Sequence, residues 1–99
     1  MTAYIVSVCK ITNVTDGLKK YVETSADLVK QHGGRYIIRG EAANVIEGEY
    51  LQGRPVIVAE FPSMKNINEF LNSDYYKNEV WPLRQGSGIY DIATYEEGS

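Results

Sequence analysis

The chain has few of the side chains that metal, redox and disulfide chemistry require. It contains a single cysteine, Cys9, and a single histidine, His32. One cysteine cannot form a disulfide within the chain and fits a reducing compartment, and one cysteine with one histidine is too few to hold a zinc ion. We therefore expect a cytoplasmic protein without a metal site, and the sequence implies no cofactor.

Long hydrophobic runs and runs of positive charge are also missing. No stretch approaches the ~20 apolar residues that a membrane-spanning helix needs. The apolar segment near the first residue is short, lacks a basic region and alternates like a strand, unlike a signal peptide. Ten Lys and Arg against thirteen Asp and Glu give a net charge of −3, and no basic run exceeds Lys19-Lys20. The sequence therefore predicts neither a membrane segment nor a nucleic-acid-binding surface.

The 99 residues suffice for one domain, which we expect over residues 1–95, followed by a polar tail at 96–99. Val- and Ile-rich runs predict strands, whereas apolar residues at three- and four-residue steps predict helices. The predicted elements are strands Tyr4–Ile11, Arg35–Arg39, Pro55–Phe61 and Ile89–Tyr95, a first helix that ends before Gly33, and a second helix with Ser63 as its N-cap. Pro82 should end or kink the second helical segment near Trp81.

The order βαββαβ predicts an α+β domain of ferredoxin-like topology, with a four-stranded antiparallel sheet and two helices on one face. A sheet covered on one face should be polar on the other. In the third strand, however, Ile57 and Ala59 lie on one face while Val56 and Val58 lie on the other. Both faces are largely apolar, so we expect a second copy of the chain to cover the face without helices and form a homodimer.

The second and third strands are expected to form a long bent hairpin. If Arg39 pairs with Val56, Arg35 lies opposite Glu60 and Glu47-Gly48 forms a two-residue turn. This register places Arg39 on the same face as Arg35, which we assign to the interior between the two copies.

Three segments together resemble the DUF1330 family, a domain of unknown function. They are His32 to Gly40, Val56 to Ser63, and Ser73-Asp74-Tyr75-Tyr76 with Leu83-Arg84-Gln85. The resemblance covers essentially the whole chain and implies a dimeric α/β barrel, in which two ferredoxin-like units pack sheet against sheet. Related barrels include monooxygenases, isomerases, decarboxylases and stress-response proteins, so the resemblance implies no single reaction. The chain departs from the common pattern at Trp81-Pro82, where many relatives would continue a helix.

Two residues are candidates for moving a proton. The pKa of a histidine is near neutrality in water, so His32 is the natural general acid or base. It also follows the last turn of a helix, where its ring can instead bind a carbonyl. Glu60 would be a candidate base if it were buried in the barrel, and otherwise a partner for Arg35 across the strands.

Three residues are candidates for binding a ligand. Arg39 needs a partner if it is buried: Glu60, a carbonyl, a carboxylate of the second copy, or an anionic ligand. Arg84 can bind an anion or cap the preceding helix end. Trp81 can line a pocket mouth or simply pack.

These residues leave two hypotheses about function. In the first, the barrel binds a small anionic or carbonyl-bearing molecule, oriented by Arg39, and cofactor-free proton transfer is the reaction class. In the second, the protein is a non-catalytic structural homodimer, or a stress-related protein, with no small-molecule substrate. A cavity lined by Arg39, His32 and Glu60 would favour the first hypothesis. A packed barrel in which Arg35 pairs with Glu60 would favour the second.

Overall fold

A computed structural model of the chain describes residues 1–98. Its strands are β1 (Ala3–Ile11), β2 (Arg35–Gly40), β3 (Val56–Phe61) and β4 (Gly88–Glu96), and its main helices are α1 (Asp16–Gln31) and α2 (Met64–Asn72). The strands form one antiparallel sheet in the order β2-β3-β1-β4. The predicted α+β fold with βαββαβ order is confirmed.

Both helices begin at a side chain that accepts a hydrogen bond from the first turn. Thr15 Oγ1 accepts from the backbone N–H of Leu18 at 2.9 Å, and Ser63 Oγ accepts from that of Asn66 at 3.3 Å. Such bonds satisfy N–H groups that have no partner within the helix. At the end of α1, Gly33 has a φ of +80°, which glycine adopts without steric cost. The chain then turns directly into β2.

The helices pack against one face of the sheet and form the core there. Phe61, Ile67 and Val80 are fully buried, and Leu28, Val29 and Phe70 pack with them. The molecule measures 36 × 33 × 16 Å, so it is a thin slab of one sheet layer and one helix layer. The opposite face of the sheet, which we call the open face, carries apolar residues from all four strands: Val6, Val8, Ile38, Val56, Val58, Ile89 and Tyr95.

The predicted hairpin register is correct only at its beginning. Arg35 pairs with Glu60 and Tyr36 with Ala59, as expected, but the next pair is Ile38 with Val58. Ile37 is therefore an extra residue on β2, a β-bulge, and it shifts everything after it by one position. Arg39 consequently lies opposite Ile57, on the face that the helices cover. The prediction that Arg39 shares the open face with Arg35 is wrong.

Residues 41–55 form bends and turns but no strand, so the predicted extension of the hairpin is also wrong. Gly48 has the positive φ of a turn residue, +85°, without flanking strands. At the other end of the chain, β4 includes Glu96, and the Glu97 N–H donates to the Thr2 carbonyl at 2.8 Å. The sheet thus extends into the predicted tail, whose last residue, Ser99, lies outside the described residues.

The segment after α2 changes helix type where proline predicted a kink. Tyr76–Val80 is a π-helical turn, and Trp81–Arg84 is a 3-10 turn with proline in its first residues. Proline has no N–H to continue the preceding pattern. Among residues 1–98, no helix combines the length and the apolar composition needed to cross a membrane. The cytoplasmic location stays a prediction.

Candidate functional site

A cavity of about 390 Å³ lies between α1 and the helix-covered face of the sheet. Protein interiors are normally packed without voids of this size, and ligand pockets begin at roughly 300 Å³. The space is lined by small side chains, Ser7 and Cys9 of β1, Ser25 of α1 and Ala59 of β3, where larger ones would fill it. Its remaining walls are apolar or aromatic: Ile5, Ile11, Leu18, Tyr21, Val22, Val29, Tyr36, Pro55, Ile57, Phe70, Leu71, Tyr76, Tyr90 and Ile92, together with Arg84.

Arg84 places a guanidinium group in the wall of this cavity. Its Cζ lies 4.3 Å from the ring centre of Tyr90 and 5.5 Å from that of Tyr21. Its Nε is buried and has no hydrogen-bond partner. Among residues 1–98, no other buried side-chain nitrogen or oxygen lacks a partner. The backbone carbonyl of Arg84 accepts hydrogen bonds from the N–H and the hydroxyl of Ser87. The start of β4 therefore fixes the backbone from which this side chain extends.

The cavity is otherwise poor in charge. Among the described residues that line it, there is no carboxylate to neutralise Arg84. A partly buried cation gains from an anion or from hydrogen bonds, because burial removes part of its hydration. The aromatic faces of Tyr21 and Tyr90 supply part of that stabilisation. The Nε–H group, however, is left with no acceptor.

Two tyrosine hydroxyls form the second polar feature. Tyr21 Oη of α1 and Tyr76 Oη of the π-helical turn are 3.1 Å apart and share a hydrogen bond. Burial, followed by the nearby Tyr76, raises the pKa of Tyr21 well above its ordinary value of 10.0. Burial is also the main cause that raises the pKa of Tyr36. These phenols are therefore neutral at physiological pH and can donate hydrogen bonds.

The family of the chain is settled by a match over almost its whole length. The family described as a domain of unknown function, DUF1330, matches residues 2–97. The chain belongs to the DUF1330 family. The resemblance expected from the sequence motifs is thus confirmed, and no curated protein matches the chain.

Solved structures share the fold of this DUF1330 domain at low sequence identity. A protein of unknown function from Rhodopseudomonas palustris, RPA0582, superposes with a TM-score of 0.75 at 15% identity, over 95% of this chain and 80% of that one. SnoaB of Streptomyces nogalater, a cofactor-independent oxygenase, gives 0.66 at 8% identity, over 99% and 94%. A conserved protein from Methanosarcina mazei gives 0.57 at 14%, over 97% and 92%. At these identities the likeness concerns the fold alone.

Of the predicted ligand-binding residues, the structure brings Arg84 and Trp81 together. Both line a shallower depression of about 270 Å³ outside the main cavity, along with Tyr90. Trp81 is 46% exposed there. Arg84 lines both spaces and so lies between them. Arg39 is not part of either: its Cζ lies 4.8 Å from the ring centre of Tyr36.

The two predicted proton-transfer residues lie away from the cavity and from each other. His32 Nδ1 is 2.9 Å from the Leu28 carbonyl, and its ring packs at 5.7 Å from that of Phe70. Glu60 accepts a hydrogen bond from Arg35 Nε at 3.1 Å on the open face. These contacts are those expected of a helix-end histidine and a cross-strand ion pair. His32, Arg39 and Glu60 do not line one cavity, the arrangement that would have favoured the first hypothesis.

Sequence reasoning missed the residues that shape the cavity. Tyr21 and Ser25 lie one turn apart on the apolar face of α1, and a serine at a core-facing position was a signal of unfilled space. The excess of tyrosine, eight residues, was a second signal. Neither signal showed which strand face the helices cover, and this decides which residues meet at the site.

Proposed function

We propose that this DUF1330 domain binds a small organic anion with an apolar body in the cavity between α1 and the sheet, and that Arg84 binds the anionic group. The observation that carries the proposal is the guanidinium group of Arg84, which lies in the wall of an apolar cavity without carboxylates among the described lining residues. The buried Nε of the same group has no hydrogen-bond partner. A ligand carboxylate or phenolate would supply the negative charge that the lining lacks and an acceptor for the guanidinium. The ligand class of the first sequence hypothesis is retained, but Arg84 takes the role given to Arg39, and the proposed site lies under the helices and not in the barrel between two copies.

The walls favour an aromatic or otherwise planar body for the ligand. Five aromatic side chains face the cavity: Tyr21, Tyr36, Phe70, Tyr76 and Tyr90. Aromatic rings gain from offset or edge-to-face contact with one another beyond the area they bury. A volume of about 390 Å³ accommodates a ligand of one to three fused rings.

If the domain is an enzyme, the proposal is that it acts on the bound anion without a cofactor. No imidazole or carboxylate is present among the described residues that line the cavity, so the lining side chains offer no strong base. A ligand that loses its proton to water would instead be held as the anion by Arg84, because a neighbouring cation lowers the pKa of an acid. The similar fold of SnoaB, a cofactor-independent oxygenase, is compatible with chemistry on such a bound anion.

The test compares an acid with its neutral analogue. We expect 2-naphthoate to raise the melting temperature of the protein and 2-naphthamide to do so much less, because only the acid neutralises Arg84. Arg84→Met should abolish the shift by naphthoate. Arg54→Met is the matched control, since Arg54 lies 4.4 Å from the ring centre of Tyr50 and does not line the cavity. Equal shifts by acid and amide, or an unchanged shift in Arg84→Met, would contradict the proposal.

We also propose that a second copy of the chain covers the open face. Ile38, Ile89 and Tyr95 are 52%, 58% and 57% exposed on that face in the single chain, while Val6 pairs with Val58 at its centre. An apolar sheet face of this extent is unusual for a monomer, and a copy of the same face matches its flat, apolar character. The alternative function, a structural homodimer without a ligand, requires the same contact.

Light scattering tests the dimer directly. The wild type should have twice the chain mass of 11.1 kDa at micromolar concentration. Ile38→Glu places a charge on an already exposed position and should shift the protein toward 11.1 kDa. Val14→Glu, in the loop before α1 and 65% exposed, is the control and should leave the dimer intact. A monomeric wild type would refute the proposed contact.

A further inference from the structure

The Tyr21–Tyr76 hydroxyl pair lies in the same cavity as Arg84 and has unused hydrogen-bonding capacity. Each hydroxyl carries one donor and two acceptor positions. The 3.1 Å contact between the two oxygens uses one proton and one lone pair. One hydroxyl proton and several lone pairs remain for a third group.

The hydroxyl pair and the guanidinium both lie close to one aromatic ring, that of Tyr21. Arg84 Cζ is 5.5 Å from the centre of the Tyr21 ring, and the hydroxyl of that same ring bonds Tyr76. The cation and the pair therefore form two polar positions in a cavity whose other walls are mainly apolar. In such sites a small number of polar groups fixes the orientation of the ligand.

We propose that the Tyr21–Tyr76 pair is a second ligand anchor, which binds a neutral hydroxyl or carbonyl oxygen of the same molecule whose anionic group is bound by Arg84. The ligand class is then a hydroxy- or oxo-substituted aromatic acid that carries both polar groups on one planar body. This inference rests on the proposed function and narrows it to molecules with two polar groups.

Burial raises the pKa of Tyr21 and keeps it neutral, which suits this role. A neutral phenol donates to a carbonyl or exchanges hydrogen bonds with a hydroxyl, whereas a phenolate would repel the second end of an electron-rich ligand. A site that is built to hydrogen-bond a ligand oxygen discriminates against the analogue without it, because the site's polar groups are then left unpaired. Discrimination between two such ligands is therefore the property to measure.

The experiment uses two acids that differ by one hydroxyl, 2-naphthoate and 6-hydroxy-2-naphthoate, measured by isothermal titration calorimetry. The wild type should bind the hydroxy acid about three- to tenfold more tightly, the range of one hydrogen bond. Tyr21→Phe/Tyr76→Phe, which lacks both hydroxyls, should lose this preference, because Tyr76→Phe alone would leave the Tyr21 hydroxyl free to bond the ligand. Tyr75→Phe is the matched control, because Tyr75 is the adjacent tyrosine, is 52% exposed and does not line the cavity.

The outcomes separate this inference from the proposed function. Equal affinity of the wild type for the two acids, or an unchanged preference for the hydroxy acid in Tyr21→Phe/Tyr76→Phe, overturns the second anchor and leaves Arg84 binding intact. Unchanged affinity of Arg84→Met for both acids overturns the proposed function itself. The wild-type comparison requires no variant, so a poorly folded Tyr21→Phe/Tyr76→Phe protein would not prevent a decision.

Discussion

Replacement of Arg84 by methionine should change the free energy of unfolding of the ligand-free protein only slightly, and it should not destabilise the protein strongly. Methionine has a similar length, carries no charge and fits irregular apolar space. The substitution removes a buried Nε that has no acceptor, which relieves about 1–3 kcal/mol. It also removes two contacts with aromatic rings, worth about 0.5–1 kcal/mol each. The free energy of unfolding should therefore change by between about −1 and +2 kcal/mol.

A large loss of stability is expected instead if Arg84 stabilises the fold through a buried ion pair. Removal of one residue of a buried ion pair costs about 3–5 kcal/mol, because the other residue is left as a buried charge without a partner. The assay is urea unfolding followed by circular dichroism, with both proteins at one concentration. For a domain of this size, each 1 kcal/mol corresponds to about 4–8 °C in melting temperature.

Arg54→Met provides the comparison, because Arg54 also contacts one aromatic ring but has no unpartnered buried nitrogen. It should lose about 0.5–1 kcal/mol, the value of a single exposed contact. A loss of more than about 2 kcal/mol in Arg84→Met would refute the reasoning, since it exceeds what the two ring contacts supply. Greater stability without the arginine would indicate that the residue is kept for binding and not for folding.

Three further predictions concern the framework around the cavity. Gly34→Ala should lower the free energy of unfolding by about 1–3 kcal/mol in urea titrations, because the new Cβ would lie 2.7 Å from Phe61 Cε2 and 2.8 Å from Val29 Cγ1; an unchanged midpoint would contradict this packing. Thr15→Ala should cost about 1 kcal/mol through loss of the cap on α1, while Thr15→Ser should restore most of it. Above pH 10.0, Tyr21 loses its proton in the unfolded chain but keeps it in the folded protein, where its pKa is raised. The stability that is present below that pH is therefore lost as the pH rises. Above that pH, the free energy of unfolding of Tyr21→Phe should therefore fall less steeply than that of the wild type, by about 1.4 kcal/mol per pH unit. Identical slopes for the two proteins would show that Tyr21 ionises normally.

Local sequence patterns were sufficient for the elements and their order. The Val- and Ile-rich runs, the Thr15 and Ser63 caps and the glycines after α1 each act within a few residues, so they could be interpreted without a neighbour in space. The pairing of Arg35 with Glu60 also followed from the hairpin pattern. The β-bulge at Ile37 did not, because a single extra residue leaves no mark on composition or on alternation.

The sequence by itself therefore determined the topology, the apolar character of both sheet faces and the presence of Arg84 near a helix end. Only the tertiary structure decided which face the helices cover, that Arg39 lies on that face, and that Tyr21, Tyr76 and Arg84 surround one cavity. The physical reason is the two-residue period of a strand: a one-residue shift moves a side chain to the other face of the sheet. The position of the cavity depends on small side chains from separate elements, which come together only in the folded chain.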